Sequence, residues 1–201
     1  MSEKPFAESC VQNREPILAV LREVFADRRR VLEIGSGTGQ HAVYFAPELP
    51  HLTWQTADVP ANHAGIRLWL NEVNLPNVLP PLALDANDST WHHARYDAVF
   101  SANTLHIMSW AEVERCFAGI GAVLETGGVL AIYGPFNYGG QFTSESNARF
   151  DAWLKSRDPM SGVRNFEAVD TLARAQGLAL WQDVAMPANN RMLVWRRHGE
   201  N

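Results

Sequence analysis

Apolar positions along this chain alternate between helical spacing and short continuous runs. Ile17, Leu18, Leu21, Val24 and Phe25 recur at helical intervals, with Pro16 tolerated in the first turn. Val31-Leu32-Glu33-Ile34 then reads as a strand that stops at glycines, followed by a helix through about Pro47. A second strand is expected from Leu52 to Thr56, a helix on Ile66, Trp69, Leu70 and Val73, and a third strand from Leu82 to Leu84. The fourth strand, Ala98-Val99-Phe100, is entered through Tyr96-Asp97. Ser109 and Glu112 have capping-box spacing, and Val113, Phe117, Ile120 and Leu124 line one face of the helix that follows. Gly127-Gly128 is expected to end that helix before a fifth strand, Val129 to Tyr133. A looser stretch from Gly134 to Thr143 precedes a helix near Glu145–Arg157, and another helix runs from about Phe166 to Gln176, where Gly177 suits the C′ position. The last two strands, Leu178–Val184 and Arg191–Trp195, flank a turn at Met186-Pro187-Ala188-Asn189-Asn190.

Strand and helix alternating five times predict an α/β fold with right-handed crossovers and a parallel sheet covered on both faces. Too few residues separate the closing strands for a crossover, so strand seven must run antiparallel. The expected architecture is a Rossmann-like, seven-stranded, mostly parallel sheet. The chain shows no internal repeat or linker, so residues 1–201 read as one domain, with the N-terminal helix (about 9–26) a candidate lid.

Composition narrows the function classes. The chain has 201 residues, 46% of them hydrophobic and 19% charged, which is ordinary for a folded globule. A net charge of −5 argues against a generic nucleic-acid binder, which needs a positive field. Cys10 and Cys116 form no C-x-x-C pair and read as small buried hydrophobes in a reducing compartment. Without an apolar leader or a run of ~20 apolar residues, a soluble cytoplasmic protein that does not bind membranes is expected.

The sharpest motif is Glu33-Ile34-Gly35-Ser36-Gly37-Thr38-Gly39-Gln40-His41, which follows a strand and opens a helix. Glycines there let backbone approach a ligand closely, at the sheet edge where open α/β folds bind ligands. Asp58, with Val59 beside it, ends strand two, where a carboxylate can accept hydrogen bonds from both ribose hydroxyls of an adenosine. Asp85 and Ala86 follow strand three, in reach of an adenine amino group. The three stations together, in order on successive strand ends, predict an adenosine site. Dinucleotide folds commonly carry G-x-G-x-x-G, whereas here the glycines fall as G-x-G-x-G after a glutamate.

That E-x-G-x-G-x-G pattern resembles motif I of class I methyltransferases, as does the antiparallel last strand. The resemblance extends to an uncharacterised methyltransferase-like family. It is carried by Gln12-Asn13-Arg14-Glu15-Pro16-Ile17-Leu18, Ser36-Gly37-Thr38-Gly39-Gln40-His41-Ala42 and Tyr133-Gly134-Pro135-Phe136. Ser146-Asn147 with Phe150-Asp151, Arg157-Asp158-Pro159 and Met186-Pro187-Ala188-Asn189-Asn190 add to it, so it spans about residues 9 to 197. One departure is Arg14-Glu15, where the family pattern often has a second basic residue. The resemblance implies S-adenosyl-L-methionine as cofactor, held by Glu33, Gly35, Ser36, Gly37, Gly39, Gln40, His41, Asp58, Val59, Asp85, Ala86, Asn103 and Leu105. It leaves the acceptor open.

Methyl transfer from a sulfonium is an in-line displacement from an activated donor, so alignment is the protein's main task. The strand-four end, Ser101 to His106, and the strand-five end, Tyr133 to Tyr138, border the methyl group in this fold. His106 is the candidate general base, with an ordinary pKa near ~6.5, and Tyr133 the second candidate catalytic group. Phe136, Asn137 and Tyr138 are candidate acceptor contacts, as are Asn189 and Asn190, whose turn should sit on the cofactor edge. Asn13 and Arg14, at the start of the first helix, are candidates through the lid. His51 and His92-His93 lack suitably spaced carboxylates, so no metal is expected. No D/N-P-P-Y/F string follows strand four, which favours a small-molecule acceptor, or a protein side chain, over DNA. Two alternatives stand beside this reading: a non-catalytic S-adenosylmethionine-binding module that regulates a partner, and a nicotinamide-dependent oxidoreductase, which the glycine spacing disfavours.

Overall fold

A computed structural model describes residues 4–88, 91 and 94–199. Helix α1 (Glu8–Val24) leads into β1 (Arg30–Ile34), then α2 (Gln40–Glu48), β2 (Thr53–Asp58), α3 (His63–Val73) and β3 (Val78–Ala83). The second half runs β4 (Tyr96–Ala102), α4 (Trp110–Val123), β5 (Leu124–Gly134), β6 (Phe136–Asn137) and α5 (Glu145–Arg157). It closes with β7 (Arg164–Asn165), α6 (Phe166–Ala175), β8 (Leu178–Met186) and β9 (Asn190–Arg197).

The main sheet has seven strands in the order β3-β2-β1-β4-β5-β9-β8. Strands β1 to β5 pair in parallel, while β9 runs antiparallel to both β5 and β8. Strand β8 therefore points the same way as the first five. The order reverses at β1, whose other neighbour is β4, and a crevice forms outside the carboxyl ends at such a switch point. The fold expected from the sequence is the fold observed.

Both faces of the sheet are covered, so its central strands bury nearly every side chain. On one face Val31, Trp54, Phe100 and Ala131 pack with Ile17, Leu21 and Phe25 of α1 and Phe45 of α2. On the other, Leu32, Val99, Leu130 and Trp195 pack with Val113, Phe117 and Ile120 of α4 and Val169 of α6. Period-two alternation along β1 and β5 assigns neighbouring residues to opposite clusters.

Two elements differ from the sequence reading. The Ser109–Glu112 capping box starts α4 as expected, but the helix ends at Val123 and Leu124 already belongs to β5. Leu124 pairs with Tyr96 and Val129 with Ala98, so Glu125 to Gly128 bulge out against a single residue of β4. Gly127, at φ 77°, serves this bulge and does not stop a helix. Strand β3 begins at Val78, earlier than Leu82. Pro80 and Pro81 obscured it, and they are tolerated because β3 is an edge strand.

Candidate functional site

Beyond β1 the chain turns sharply on glycines. Gly35 sits at φ 69°, where a Cβ would lie 2.6 Å from Thr104 Oγ1, so any side chain there collides with the loop after β4. The amides of Gly35 and Ser36 both donate to the carbonyl of Ala57, at 3.0 and 3.1 Å, folding the loop back onto β2. Ser36 Oγ accepts from Ala57 N–H and donates to Glu33. Glu33 itself is buried, and its carboxylate also accepts from Trp54 Nε1 at 2.9 Å. Burial pushes its pKa up to about 7, against the pull of the Trp54 and Ser36 hydrogen bonds.

Asp58 closes the loop from the other side. Its Oδ2 accepts Gly37 N–H at 2.6 Å, and its Oδ1 accepts Val59 N–H at 2.7 Å and Asn62 Nδ2 at 2.8 Å. A carboxylate offers about four acceptor positions, so one remains for a ligand hydroxyl. Gly37, at φ 57°, has nothing within 4 Å of where its Cβ would stand, because it faces open space.

That space is a cleft of about 910 Å³, near the top of the roughly 300–1,000 Å³ range of ligand sites. Among the residues expected at a cofactor, Gly35, Ser36, Gly37, His41, Asp58, Val59, Asp85, Ala86 and Asn103 line it together. Glu33, Gly39, Gln40 and Leu105 are not in the lining. Gly39 caps α2 against Ile66, Gln40 accepts from Ala7 N–H and Thr38 Oγ1, and Leu105 lies in the core. Asp85 Oδ1 holds the backbone and side-chain amide of Asn87 at 2.8 and 3.0 Å, which fixes the turn after β3. Asn103 adopts a left-handed φ of 56° while its N–H donates to Tyr133 O. Sequence reasoning did not assign Pro5, Cys10, Asn62, Ile107, Met108 and Asp158, which also line the cleft. Only Asp158 carried a signal, as part of the Arg157-Asp158-Pro159 string. Burial first and Glu33 second push the Cys10 thiol up to about 11, which disfavours its thiolate.

The N-terminal segment lines the cleft and is anchored to α3 and to α2. Trp69 Nε1 donates to Pro5 O at 2.6 Å, and Ala7 N–H donates to Gln40 Oε1 at 2.6 Å. Further along α1, Asn13 Oδ1 meets His41 Nε2 at 2.7 Å. Burial lowers the His41 pKa to about 4, keeping the ring neutral in this contact. Arg14 turns toward α2 instead, its guanidinium 4.4 Å from the Tyr44 ring centre.

The remaining candidates gather near the same sheet edge but outside the cleft lining. His106 is buried, edge-on to Phe150 at 5.2 Å, with its carbonyl accepting Gly162 N–H. Burial, then the Arg164 charge, depress its pKa to about 4, well below the ordinary value. Arg164 is fixed there by the carbonyls of Leu105, Met108 and Met160. Tyr133 is buried, its phenol raised by burial and eased by a hydrogen bond to Asn190. Phe136 joins the core, Asn137 is buried with Oδ1 unpaired among the described residues, and Tyr138 donates to Asp183 at 2.9 Å while stacking on Phe166. Asn189 docks on α5: its carbonyl accepts Asn147 Nδ2 and its own amide donates to Ser146 Oγ. Asn190 Nδ2 returns to Pro187 O. His51 bonds Phe25 O, and His92 and His93 lie outside the described residues. Among the described residues no three His, Cys, Asp or Glu side chains gather as metal ligands, and no helix is long and apolar enough to cross a membrane.

A family described as "Protein of unknown function (DUF938)" matches residues 4–197. Among solved structures, an O-methyltransferase family protein from Burkholderia thailandensis superposes with a TM-score of 0.84 at 20% identity, covering 96% of this chain and 59% of that one. An O-methyltransferase family 2 protein from Planctomyces limnophilus, in complex with apigenin, gives 0.82 at 15% identity over 94% and 57%. PigF with SAH gives 0.76 at 17% identity over 94% and 64%. This chain thus spans little more than half the length of these structures, and at such identities the likeness is one of fold.

Proposed function

The chain belongs to the DUF938 family, and on that premise we propose that it is an S-adenosylmethionine-dependent methyltransferase, one domain acting on a small molecule. The observation that carries this reading is the Gly35–Gly37 loop, closed by Asp58 and opening onto the cleft at the reversal in strand order. The open space over Gly37 suits the methionine part, Asp58 the ribose, and Asp85 with Ala86 the adenine. A cofactor held in this way would supply its methyl group on the side of the cleft lined by the loop after β4, at Asn103, Thr104, Ile107 and Met108. The solved structures of like fold include O-methyltransferase family proteins, one with apigenin, and one structure holds SAH; these support both cofactor and acceptor size. The fit rests on this chain's own groups: an acceptor position left on Asp58 and open space over Gly37.

When bound, the cofactor supplies an activated methyl group, and this chain's residues hold donor and acceptor in line. His106 is the proposed proton acceptor: the depressed pKa keeps its ring neutral at pH 7, and neither ring nitrogen bonds another described residue. Tyr133, Asn137, Asn189 and Asn190, which lie outside the lining, are proposed to brace the acceptor side of the cleft from behind. The two free thiols and the acidic net charge favour a cytoplasmic protein with no nucleic-acid partner.

Calorimetric titration with S-adenosylmethionine and S-adenosylhomocysteine (SAH) tests the reading, with NADH as control. Binding of both adenosyl compounds alone is expected. Binding of NADH without either adenosyl compound would replace the methyltransferase by an oxidoreductase.

A further inference from the structure

The cleft carries charge of one sign. Among the described residues four carboxylates line it, Asp58, Asp85, Glu112 and Asp158, and no arginine or lysine does. His41, the single histidine among the described lining residues, is kept neutral by burial. Asp58 ends β2, Asp85 follows β3, and Glu112 is bonded to Asn87 just after β3, so these three belong to the proposed adenosine end. Asp158 does not. It follows α5, and the segment it opens is tied by Gly162 and Arg164 to the loop after β4.

Asp158 stands there with apolar company. Ile107 and Met108 line the same end of the cleft, and Ile107 is 62% exposed. Met160, 61% exposed, is held next to Asp158 because its N–H donates to Asp158 Oδ1 at 2.9 Å. The second carboxylate oxygen has no hydrogen-bond partner among the described residues. Arg164 backs this end from outside the lining, its guanidinium held by the carbonyls of Leu105, Met108 and Met160. Large apolar side chains left open at a cleft mouth beside one carboxylate form a recognition surface with a definite preference.

We propose that Ile107, Met108 and Asp158 form the acceptor subsite, and that it selects a small apolar acceptor carrying a cationic or uncharged polar group while rejecting anionic ones. The proposal rests on the methyltransferase reading and adds the acceptor's chemical class to it. A phosphorylated or carboxylated acceptor meets the like charge of Asp158 and, farther in, of the other three carboxylates, with no arginine or lysine in the described lining to offset them, and like-charge juxtaposition disfavours binding.

The test uses the full chain loaded with SAH and three phenols of one shape: tyramine, para-ethylphenol and para-hydroxyphenylpropionate. Dissociation constants are read by ligand-observed NMR at low ionic strength. Tyramine should bind tightest, the propionate at least about threefold more weakly, with the gap shrinking as salt screens the charges. Asp158→Asn keeps an oxygen for the Met160 N–H, so the turn should hold, and the preference of tyramine over para-ethylphenol should collapse toward unity. Equal or tighter binding of the propionate, an unchanged ratio in Asp158→Asn, or no binding of any phenol at millimolar concentration overturns the proposal. Failure of SAH to bind is a separate result, which removes the cofactor reading and this subsite together.

Discussion

Asp58 Oδ2 accepts the amide hydrogen of Gly37 at 2.6 Å, joining the end of β2 to the turn after β1. The carboxylate expected to meet a ribose therefore also shapes the loop that would receive the methionine part. Asp58→Ala should weaken SAH binding by about tenfold or more, the worth of a charge-assisted hydrogen bond. It should also lower the stability of the free protein, since Gly37, Val59 and Asn62 lose their acceptor. Calorimetry and thermal unfolding read the two effects apart. Unchanged affinity with reduced stability would confine Asp58 to supporting the loop.

Gly35 and Gly37 share a positive φ but differ in surroundings. Gly35→Ala places a methyl 2.6 Å from Thr104 Oγ1 and 2.8 Å from its Cγ2, so it should cost about 1–3 kcal/mol of stability. Gly37→Ala meets no atom within 4 Å and pays mainly backbone strain, about 1 kcal/mol. Its methyl instead enters the cleft, so SAH binding should suffer while the fold holds. Melting curves with and without SAH check this: a normal SAH-induced shift in Gly37→Ala would place the ligand elsewhere.

The end of the cleft proposed for adenosine could be assembled from the sequence because each of its stations is local: a strand, a turn residue, the next helix. Gly35 to Gly37, Asp58 and Asp85 could be placed by counting strand ends, and all reach one cleft. What escaped depends on pairing across the chain. Leu124 has the right spacing to close a helical face, yet Tyr96 draws it into β5. Tyr138 sits in a loop suited to ligand contact, yet its hydroxyl is held by Asp183 on β8. Pro5 and Asp158 arrive at the cleft from distant segments whose periodicity says nothing about where they will lie.

Pro5 reaches the cleft because the Trp69 indole holds its carbonyl, while Lys4 pairs with Glu72 and lies over the same indole. Trp69 itself does not line the cleft. Trp69→Phe keeps the aromatic surface and removes a single hydrogen bond, worth about 0.5–1.5 kcal/mol. If the N-terminal segment retains the cofactor, SAH should dissociate roughly twofold to tenfold faster, with stability little changed. Stopped-flow displacement measures this, and an unchanged dissociation rate would remove the lid role.

Three buried groups give the fold a pH dependence of opposing signs. His41 and His106 titrate near 6.5 when unfolded but about 4 when folded, so between those values the unfolded chain binds more protons. Their contribution is complete above about pH 6.5 and is lost as pH falls through 4. Glu33, raised from 4.5 to about 7, acts the other way: its contribution is complete below about 4.5 and is lost as pH rises through 7. Each shift corresponds to at most about 3–4 kcal/mol. Glu33→Gln should therefore abolish the loss above pH 4.5 and leave a protein whose stability rises monotonically to pH 6.5. His106→Gln should flatten part of the acid limb, and chemical denaturation at several pH values reads both. The same shift bears on catalysis. If neutral His106 accepts the acceptor's proton, its limb in the pH dependence of SAH production should turn near 4, leaving turnover flat from pH 6 to 7, whereas an inflection near 6.5 assigned to His106 by its loss in His106→Gln would mean that the ring is solvated in the working enzyme.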